Sequence, residues 1–225
     1  MIERIIELIA PHQCLACGHN NNIFCANCLA EKFCEIATVC AMCSGITELY
    51  KVCANCQESK LNRVYIAAEY KYDVAKLIKD FKFHRAKAAY KPLASAIDAT
   101  VSYLPRNTVV VPVPTSLTHI RQRGYDHAYL VAKEFARLRG LKMITPLYRS
   151  SDQRQVGASK KERFLQAKSS ICIKPGQILE SNVILIDDVC TTGASLYVAA
   201  NLLRVAGAGQ IDAAVVAWQA PTKKD

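Results

Sequence analysis

Apolar residues follow two different periods between residues 183 and 207, and the change of period predicts a strand followed by a helix. Residues 183–186 are all aliphatic, the pattern of a strand buried on both faces of a parallel sheet. From Ala194 onward the apolar residues fall on one helical face, and Gly207 supplies a stop signal. That face carries Leu196, Ala199, Ala200, Leu203 and Ala206. Residues 187–195 are then expected to form the loop between the two elements.

The same alternation of patterns along residues 61–225 predicts the fold class. Further strands and helices follow one another, the strands at residues 64–70, 109–113 and 211–217, the helices after Asp73 and at residues 92–103 and 125–139. Alternating strands and helices are typical of an α/β domain with a mainly parallel sheet flanked by helices. In such a domain, ligands bind at the carboxyl ends of the strands.

Residues 1–60 differ in composition, because cysteine dominates them. Eight cysteines form Cys-x-x-Cys pairs, namely Cys14/Cys17, Cys25/Cys28, Cys40/Cys43 and Cys53/Cys56. Two such pairs complete a tetrahedral shell around one Zn²⁺, so the four pairs can hold two structural zinc ions. Sequential pairing is the simplest and gives a double zinc ribbon, while a crossed pairing also satisfies the spacing. The segment has few large apolar residues, so metal is expected to replace the missing core.

The remaining candidates for metal ligands in this segment carry less weight. Cys34 is left over from the four pairs, and His12 and His19 are alternative ligands that are more simply interpreted as bystanders. Redox-active cysteine pairs are a weaker alternative, because nothing around them resembles a thioredoxin context.

The N-terminus and the cysteine usage predict a cytoplasmic location. Residues 1–10 have an apolar stripe interrupted by Glu3 and Glu7 and are followed by Pro11, which predicts a short amphipathic helix rather than a signal peptide. No stretch approaches the roughly 20 apolar residues of a transmembrane segment. Eleven cysteines without a signal peptide favour a reducing compartment.

Charge is unevenly distributed and makes an anionic partner plausible for the second part of the chain. The net charge of +10 divides into −2 for residues 1–60 and +12 for residues 61–225. The segment from Lys76 to Lys91 contains six basic residues and one acidic residue, with Phe83 and Tyr90 interleaved. This run is either a solvated helix face or a track for the phosphates of single-stranded DNA. Under the second interpretation the DNA-binding residues are Lys79, Lys82, Arg85 and Lys87.

Residues 187–195, with the sequence DDVCTTGAS, carry the ingredients of a sugar-phosphate site. Gly193 allows close approach of the backbone, and the following helix directs free N–H groups and the positive end of its dipole at the same point. Asp187 and Asp188 would repel a phosphate, but they can accept hydrogen bonds from sugar hydroxyls. Simple helix capping needs only one of the hydroxyl residues present, which are Thr191, Thr192 and Ser195.

These motifs together resemble a known family. DDVCTTGAS resembles the phosphoribosyl pyrophosphate (PRPP) signature of type I phosphoribosyltransferases. The cysteine pairs narrow the resemblance to the ComF family of competence-associated proteins, as do the motifs KFHR (82–85), VPVP (111–114), RQRGYDH (121–127) and RQVG (154–157). It implies a zinc module at residues 1–60, which includes the N-terminal helix, and a phosphoribosyltransferase-like domain at residues 61–225.

The resemblance also implies roles for individual residues. Asp187 and Asp188 would be the catalytic acids that hold the ribose hydroxyls. Arg121 and Arg123, after the second strand, would hold the pyrophosphate together with Mg²⁺. Residues 149–157 would be a mobile loop that closes over PRPP before a helix starting at Ser159. The PRPP loop itself would consist of Asp187, Asp188, Val189, Cys190, Thr191, Thr192, Gly193, Ala194 and Ser195, with Cys190 acting as a small apolar filler rather than a nucleophile.

Two functions remain open on the sequence. In the first, the protein handles single-stranded DNA in natural transformation, binds PRPP, and works with a competence helicase or uptake-pore components. In the second, it is an active phosphoribosyltransferase for an unidentified small-molecule acceptor. The resemblance favours the first, because the zinc module gives no hint of a nucleobase pocket.

Overall fold

A computed structural model describes most of the chain, namely residues 13–20, 22–34, 36, 38–84, 86–150, 170–179 and 181–220. Several expected features lie outside the described residues. These are the helix at residues 1–10, His12, Arg85, the RQVG motif with most of the expected loop around it, and the helix start at Ser159.

A parallel five-stranded sheet forms the centre of the α/β part. Its strands are β1 (Val64–Ile66), β2 (Thr108–Pro112), β3 (Lys142–Met143), β6 (Asn182–Cys190) and β7 (Ile211–Trp218). They lie in the order β1-β7-β6-β2-β3, and each neighbouring pair is parallel. Two shorter strands, β4 (Leu147–Arg149) and β5 (Ile171–Ile173), form a separate antiparallel pair. The mainly parallel sheet confirms the predicted fold class.

Helices connect the strands and cover the sheet. They are α1 (Ala26–Lys32), α2 (Tyr72–Phe83), α3 (Tyr90–Thr100), α4 (Leu117–Arg123), α5 (His127–Arg139) and α6 (Ala194–Val205). Short 3₁₀ turns occupy Ala54–Ser59 and Lys87–Ala89. The periodicity predicted α6 correctly, and its expected apolar face is buried at Leu196, Ala199, Ala200 and Leu203.

Both faces of the sheet are buried, as the aliphatic run of β6 predicts. Ile184 and Ile186 belong to one buried cluster, which includes residues of α2, α3 and α5. Val183 and Leu185 point the other way and join a second cluster with α6 and the β4–β5 pair. The cysteine-rich segment contributes to both clusters, with Cys14 in the first and Cys40 in the second. The division of the chain at residue 60 stays a prediction.

The acids of the expected loop lie within β6 instead, so that part of the sequence analysis was wrong. Asp187 pairs with Val215 and Cys190 with Trp218, because β7 is long enough to extend the ladder past the last aliphatic residue. Strand length is set here by the partner strand, a constraint that local hydrophobicity does not report. Only Thr191, Thr192 and Gly193 remain between β6 and α6.

Two expected loops also contain regular structure. The polar segment after β2 forms α4, which the Ser116 side chain caps by accepting from His119 N, and Gly124 ends it in the left-handed region. Arg149, where the other loop was expected to begin, is the last residue of β4. None of the helices in the described part of the chain is long and apolar enough to cross a membrane.

Candidate functional site

The two acids lie side by side at the carboxyl end of β6 but differ in environment. Asp187 is half-buried, and its Oδ1 accepts a hydrogen bond of 2.9 Å from Asp188 N. Asp188 is buried, with 4% of its surface exposed. Successive side chains of a strand point to opposite faces, so the two carboxylates reach different neighbours.

Asp188 is held by two basic side chains that come from different helices. Lys82 Nζ, from the last turn of α2, lies 2.8 Å from Asp188 Oδ1. His127 Nε2, from the first turn of α5, contacts Asp188 Oδ2. Burial acts against the charge of Asp188, but Lys82 and His127 outweigh it and hold the pKa of this carboxyl well below its usual range. Asp188 is therefore a buried, ionised and partnered carboxylate.

The hydrogen bonds around His127 define its tautomer. Its Nδ1 lies 2.8 Å from Arg123 Nη1. A guanidinium can only donate, so Nδ1 accepts and the ring proton sits on Nε2, the nitrogen that contacts Asp188 Oδ2. The result is a chain of polar contacts from Arg123 through His127 to Asp188. Arg123 also lies over the ring of Phe83, with Cζ 5.1 Å from the centroid.

Asp187 has the opposite electrostatic setting. Burial and the neighbouring charge of Asp188 raise its pKa to about 7. The pKa values of the two adjacent carboxyls therefore differ widely. Asp188 is charged, and Asp187 can exchange a proton near neutral pH. Such a split is common at functional sites, although structural ion pairs also produce it.

The turn after β6 has the backbone shape of an anion-binding loop. Gly193 adopts φ +70° and immediately precedes α6, a conformation that favours glycine. The Thr192 hydroxyl accepts from Ala194 N at 3.4 Å, while Thr191 and Ser195 are half-buried beside it. The turn thus places three hydroxyl residues beside the N-terminus of α6, an arrangement that suits an anion.

Arg149 joins this turn, a role that the sequence analysis missed. Its Nη2 lies 3.4 Å from Ser195 Oγ, and its Nε donates to the carbonyl of Pro114 at 2.8 Å. It therefore links β4 to the first turn of α6 and to the segment that follows β2. No sequence signal could have identified it, because it stood at the border of a segment with several arginines.

The cysteines form two separate clusters, and the sequential pairing is confirmed. Within each cluster the four sulfurs lie within 4.8 Å of one another, in the sets Cys14/Cys17/Cys25/Cys28 and Cys40/Cys43/Cys53/Cys56. Two sulfur–sulfur distances are 3.7 Å for Cys17–Cys25 and 3.5 Å for Cys43–Cys53. A tetrahedral zinc ion with Zn–S distances of about 2.3 Å requires sulfurs roughly 3.8 Å apart, so the clusters fit zinc. His19 and Cys34 belong to neither.

Comparison with known proteins identifies the family, although no protein-family model matches the chain. Competence protein ComFC of Bacillus subtilis is 30% identical over 178 residues, which cover 73% of this chain and 71% of that protein. The chain belongs to the ComF family. Competence protein F of Haemophilus influenzae is 27% identical over 218 residues, covering 88% of this chain and 93% of that protein.

Solved structures that match the chain include adenine phosphoribosyltransferases. The enzyme from Thermoanaerobacter pseudethanolicus matches this ComF protein with a TM-score of 0.39 at 12% identity, covering 61% of this chain and 83% of its own. The Giardia lamblia enzyme gives 0.38 at 15% identity, with 84% and 82% covered. These TM-scores are low, so the fold assignment rests on the strand order and parallel pairing of the sheet itself.

The other residues expected at functional sites are more dispersed in this ComF protein. Arg121 is exposed on α4, whereas Arg123 reaches the acids through His127. Lys79 and Lys87, expected to bind DNA, are exposed. Lys82, expected in the same track, is instead bound to Asp188 and has only 19% of its side chain exposed.

We expect the purified protein to contain about two zinc ions per chain, one for each cluster. Elemental analysis of protein purified without chelators measures this ratio. Replacing Cys40 and Cys43 by Ser should lower it to about one, and so should replacing Cys14 and Cys17. A ratio near zero with reduced thiols would contradict the assignment.

Asparagine substitutions at the two acids should have opposite effects on stability. The folded protein favours the protonated form of Asp187, because the pKa of this group is raised from 3.8 to about 7. Wild-type protein therefore loses stability as pH rises through this range. Asp187→Asn does not titrate, so its stability relative to wild type should increase from about pH 5 to about pH 8. Urea unfolding at the two pH values measures the change.

Asp188→Asn provides the contrast. It leaves Lys82 without its buried partner, so it should destabilise the protein by about 3 kcal/mol at both pH values. The depressed pKa of Asp188 keeps its contribution intact throughout this range, because that contribution is lost only at much lower pH. If the free energy of unfolding depended on pH in the same way for both variants, the two acids could not have different pKa values.

Proposed function

We propose that this protein handles single-stranded DNA during natural transformation in the cytoplasm and binds PRPP with Mg²⁺ at the carboxyl end of β6. The observation that carries the PRPP proposal is the arrangement of two acids, a hydroxyl-rich turn and a helix N-terminus at one strand end. The competence role is suggested by the names of the two relatives. Protein partners would be a competence helicase or uptake-pore components.

Three parts of the site would each bind a different group of PRPP. The 5′-phosphate would bind the turn and first N–H groups of residues 191–195. The ribose hydroxyls would face the carboxylates. The pyrophosphate and its Mg²⁺ would lie towards Arg123, which is linked to Asp188 through His127, and towards the exposed Arg121.

The acids would divide the work between them. Both oxygens of Asp188 already contact basic side chains, Lys82 and His127. Asp187 is less buried and its only described hydrogen bond is to a backbone N–H. We therefore assign the ribose hydroxyl contact to Asp187, while Asp188 anchors the helices that surround it.

An active phosphoribosyltransferase is the second candidate, and one observation favours it. Transfer of the ribosyl group passes through an oxocarbenium-like state, which nearby carboxylates stabilise, and needs no nucleophilic side chain. The raised pKa of Asp187, about 7, would also let that group accept a proton from an incoming acceptor near neutral pH.

PRPP affinity should fall at least about tenfold in Asp187→Asn, because a charge-assisted hydrogen bond to the ribose is lost. Calorimetry with zinc-loaded protein and Mg²⁺ measures the dissociation constant. Asp98→Asn is the matched control. Asp98 pairs with Arg139 and lies near the C-terminal end of α3, the helix that precedes β2 in the chain. This variant removes one carboxylate charge, as Asp187→Asn does, but outside the candidate site.

Equal affinity of Asp187→Asn and wild type would exclude this site for PRPP. Retention of affinity without Mg²⁺ would remove the metal from the proposal. Release of pyrophosphate from bound PRPP in the presence of a small-molecule acceptor would favour the transferase over the DNA-handling protein.

The DNA part of the proposal is supported by the exposed face of α2. Lys76, Lys79 and Phe83 recur at helical spacing and are exposed, Phe83 by 63%. Lys87 follows on the next turn. Lysines next to an exposed aromatic ring are suited to holding a single strand through its phosphates and bases.

This face ends at the candidate PRPP site. Lys82 binds Asp188, and Arg123 lies over Phe83 while bonding to His127. A DNA strand on α2 and PRPP at β6 would therefore be neighbours, and competition between them would indicate a shared phosphate site.

Replacing Lys76, Lys79 and Lys87 by Gln should weaken binding of single-stranded DNA and flatten its salt dependence. Each lost phosphate contact lowers the slope of log affinity against log salt by about 0.7 for single strands, so three contacts lower it by about 2. Fluorescence anisotropy with a labelled oligonucleotide at several salt concentrations measures the slope.

A charge-matched control replaces Lys51, Lys142 and Lys174, which are exposed on other parts of the surface. It should keep most of the affinity and the slope. The same loss in both triple variants would mean that only net charge matters, and unchanged binding in the α2 variant would show that this helix is a solvated face.

A further inference from the structure

The second cysteine cluster contacts the turn that follows β6. The Met42 side chain lies directly on Gly193, where a Cβ added to the glycine would come within 2.6 Å of the Met42 sulfur and its terminal methyl carbon. Met42 stands between Cys40 and Cys43, two of the four sulfur ligands of this cluster. Residues 40–45 form a tight turn around Cys40 and Cys43, called the knuckle below. The knuckle and the candidate phosphate turn therefore share one packed interface.

A neighbouring residue of the same knuckle is bound to the ends of two strands. The carbonyl of Ala41 accepts a hydrogen bond of 3.2 Å from Trp218 Nε1, at the end of β7. Cys190 Sγ, at the end of β6, donates to the same carbonyl at 3.7 Å. Cys40 and Ala41 are buried within the cluster that also contains Ala194. Three consecutive residues thus hold the knuckle against the carboxyl edge of the sheet.

The shape of this knuckle depends on the sulfur cluster. Short backbone bonds close it, from Cys40 N to the Gly45 carbonyl and from Ser44 N to the Cys40 carbonyl, both 2.8 Å. Without a metal, four thiols held within 4.8 Å of one another gain no bond, and any thiolates among them repel. Metal binding therefore supplies the free energy that keeps Ala41 and Met42 in place.

The first cluster offers an internal comparison. Its buried members Cys14, Cys25 and Cys28 pack in the cluster on the other face of the sheet, with Phe24. Within the described part of the chain, no hydrogen bond joins this first cluster to residues 187–195. The described contact with this turn comes from the second cluster, through Met42.

We propose that metal in the second cluster, Cys40/Cys43/Cys53/Cys56, sets the conformation of the turn at residues 191–193 through Met42 and Ala41, so that metal and PRPP bind with positive coupling. Met42 is a positioning residue in this scheme and does not touch the ligand. The ligand half of the proposal rests on the proposed PRPP site. By linkage, PRPP should strengthen metal binding at the second cluster by the same factor by which that metal strengthens PRPP binding.

The chain contains a natural reporter for this coupling. Trp218 is its only tryptophan, and its indole N–H is bonded to the knuckle itself. Release of the knuckle removes this bond and admits water to a side chain that is 4% exposed. The fluorescence of Trp218 therefore reports the position of the knuckle without any ligand.

The test compares full-length variants that each lose one metal site. Cys40→Ser/Cys43→Ser should shift Trp218 emission to longer wavelength and weaken PRPP binding at least about fivefold, whereas Cys14→Ser/Cys17→Ser should change neither by as much. Equal effects of the two double variants would overturn the proposal, because they would indicate general destabilisation. So would a second-cluster variant with one zinc ion, unchanged emission and unchanged PRPP affinity.

Met42→Ala tests the contact with both metal sites intact. It removes the packing on Gly193 and should weaken PRPP binding while the zinc content stays at the wild-type value, and Met42→Leu should restore most of the affinity. Unchanged affinity in Met42→Ala would overturn the role of Met42. If wild-type protein binds no PRPP, the proposed function and the ligand half of this proposal both fail, and the Trp218 measurement alone decides whether the second cluster holds the sheet edge.

Discussion

The carboxyl edge of the sheet depends on one buried charge. Asp188 is 4% exposed and ionised, which is tolerable only because Lys82 and His127 both bind it. These two partners fix where the last turn of α2 and the first turn of α5 must lie. Phe81 and Tyr125 stack beside them with ring centroids 5.4 Å apart, and Arg123 follows through His127. One ion-pair network therefore determines which side chains surround the candidate site.

Local patterns predicted the parts of this structure that local forces determine. The period of the apolar residues gave α6, and the four Cys-x-x-Cys turns gave both metal clusters. Such patterns could not predict that Lys82 pairs with Asp188, because the two residues are 106 positions apart. A run of basic residues has the same sequence pattern whether its side chains are solvated or bound to acids. The extension of β6 was missed for a similar reason, since it depends on the length of β7.

The cysteine-rich segment takes part in the core of the protein. It places Cys14 on one face of the sheet and Cys40 on the other, and Met42 packs on Gly193 at the candidate site. A segment with little apolar mass can do this only if another interaction orders it, and the two sulfur clusters provide that interaction. The sulfur clusters, the sheet and the candidate ligand turn thus form one structural unit.

A sugar phosphate is proposed to bind at the strand end of Asp187 and the turn at residues 191–193. A crystal structure of zinc-loaded protein with PRPP and Mg²⁺ would test this proposal. We expect the 5′-phosphate on the backbone of residues 191–195, the ribose hydroxyls facing Asp187, and Lys82 still bound to Asp188. PRPP bound elsewhere, or an empty turn at saturating PRPP, would contradict it.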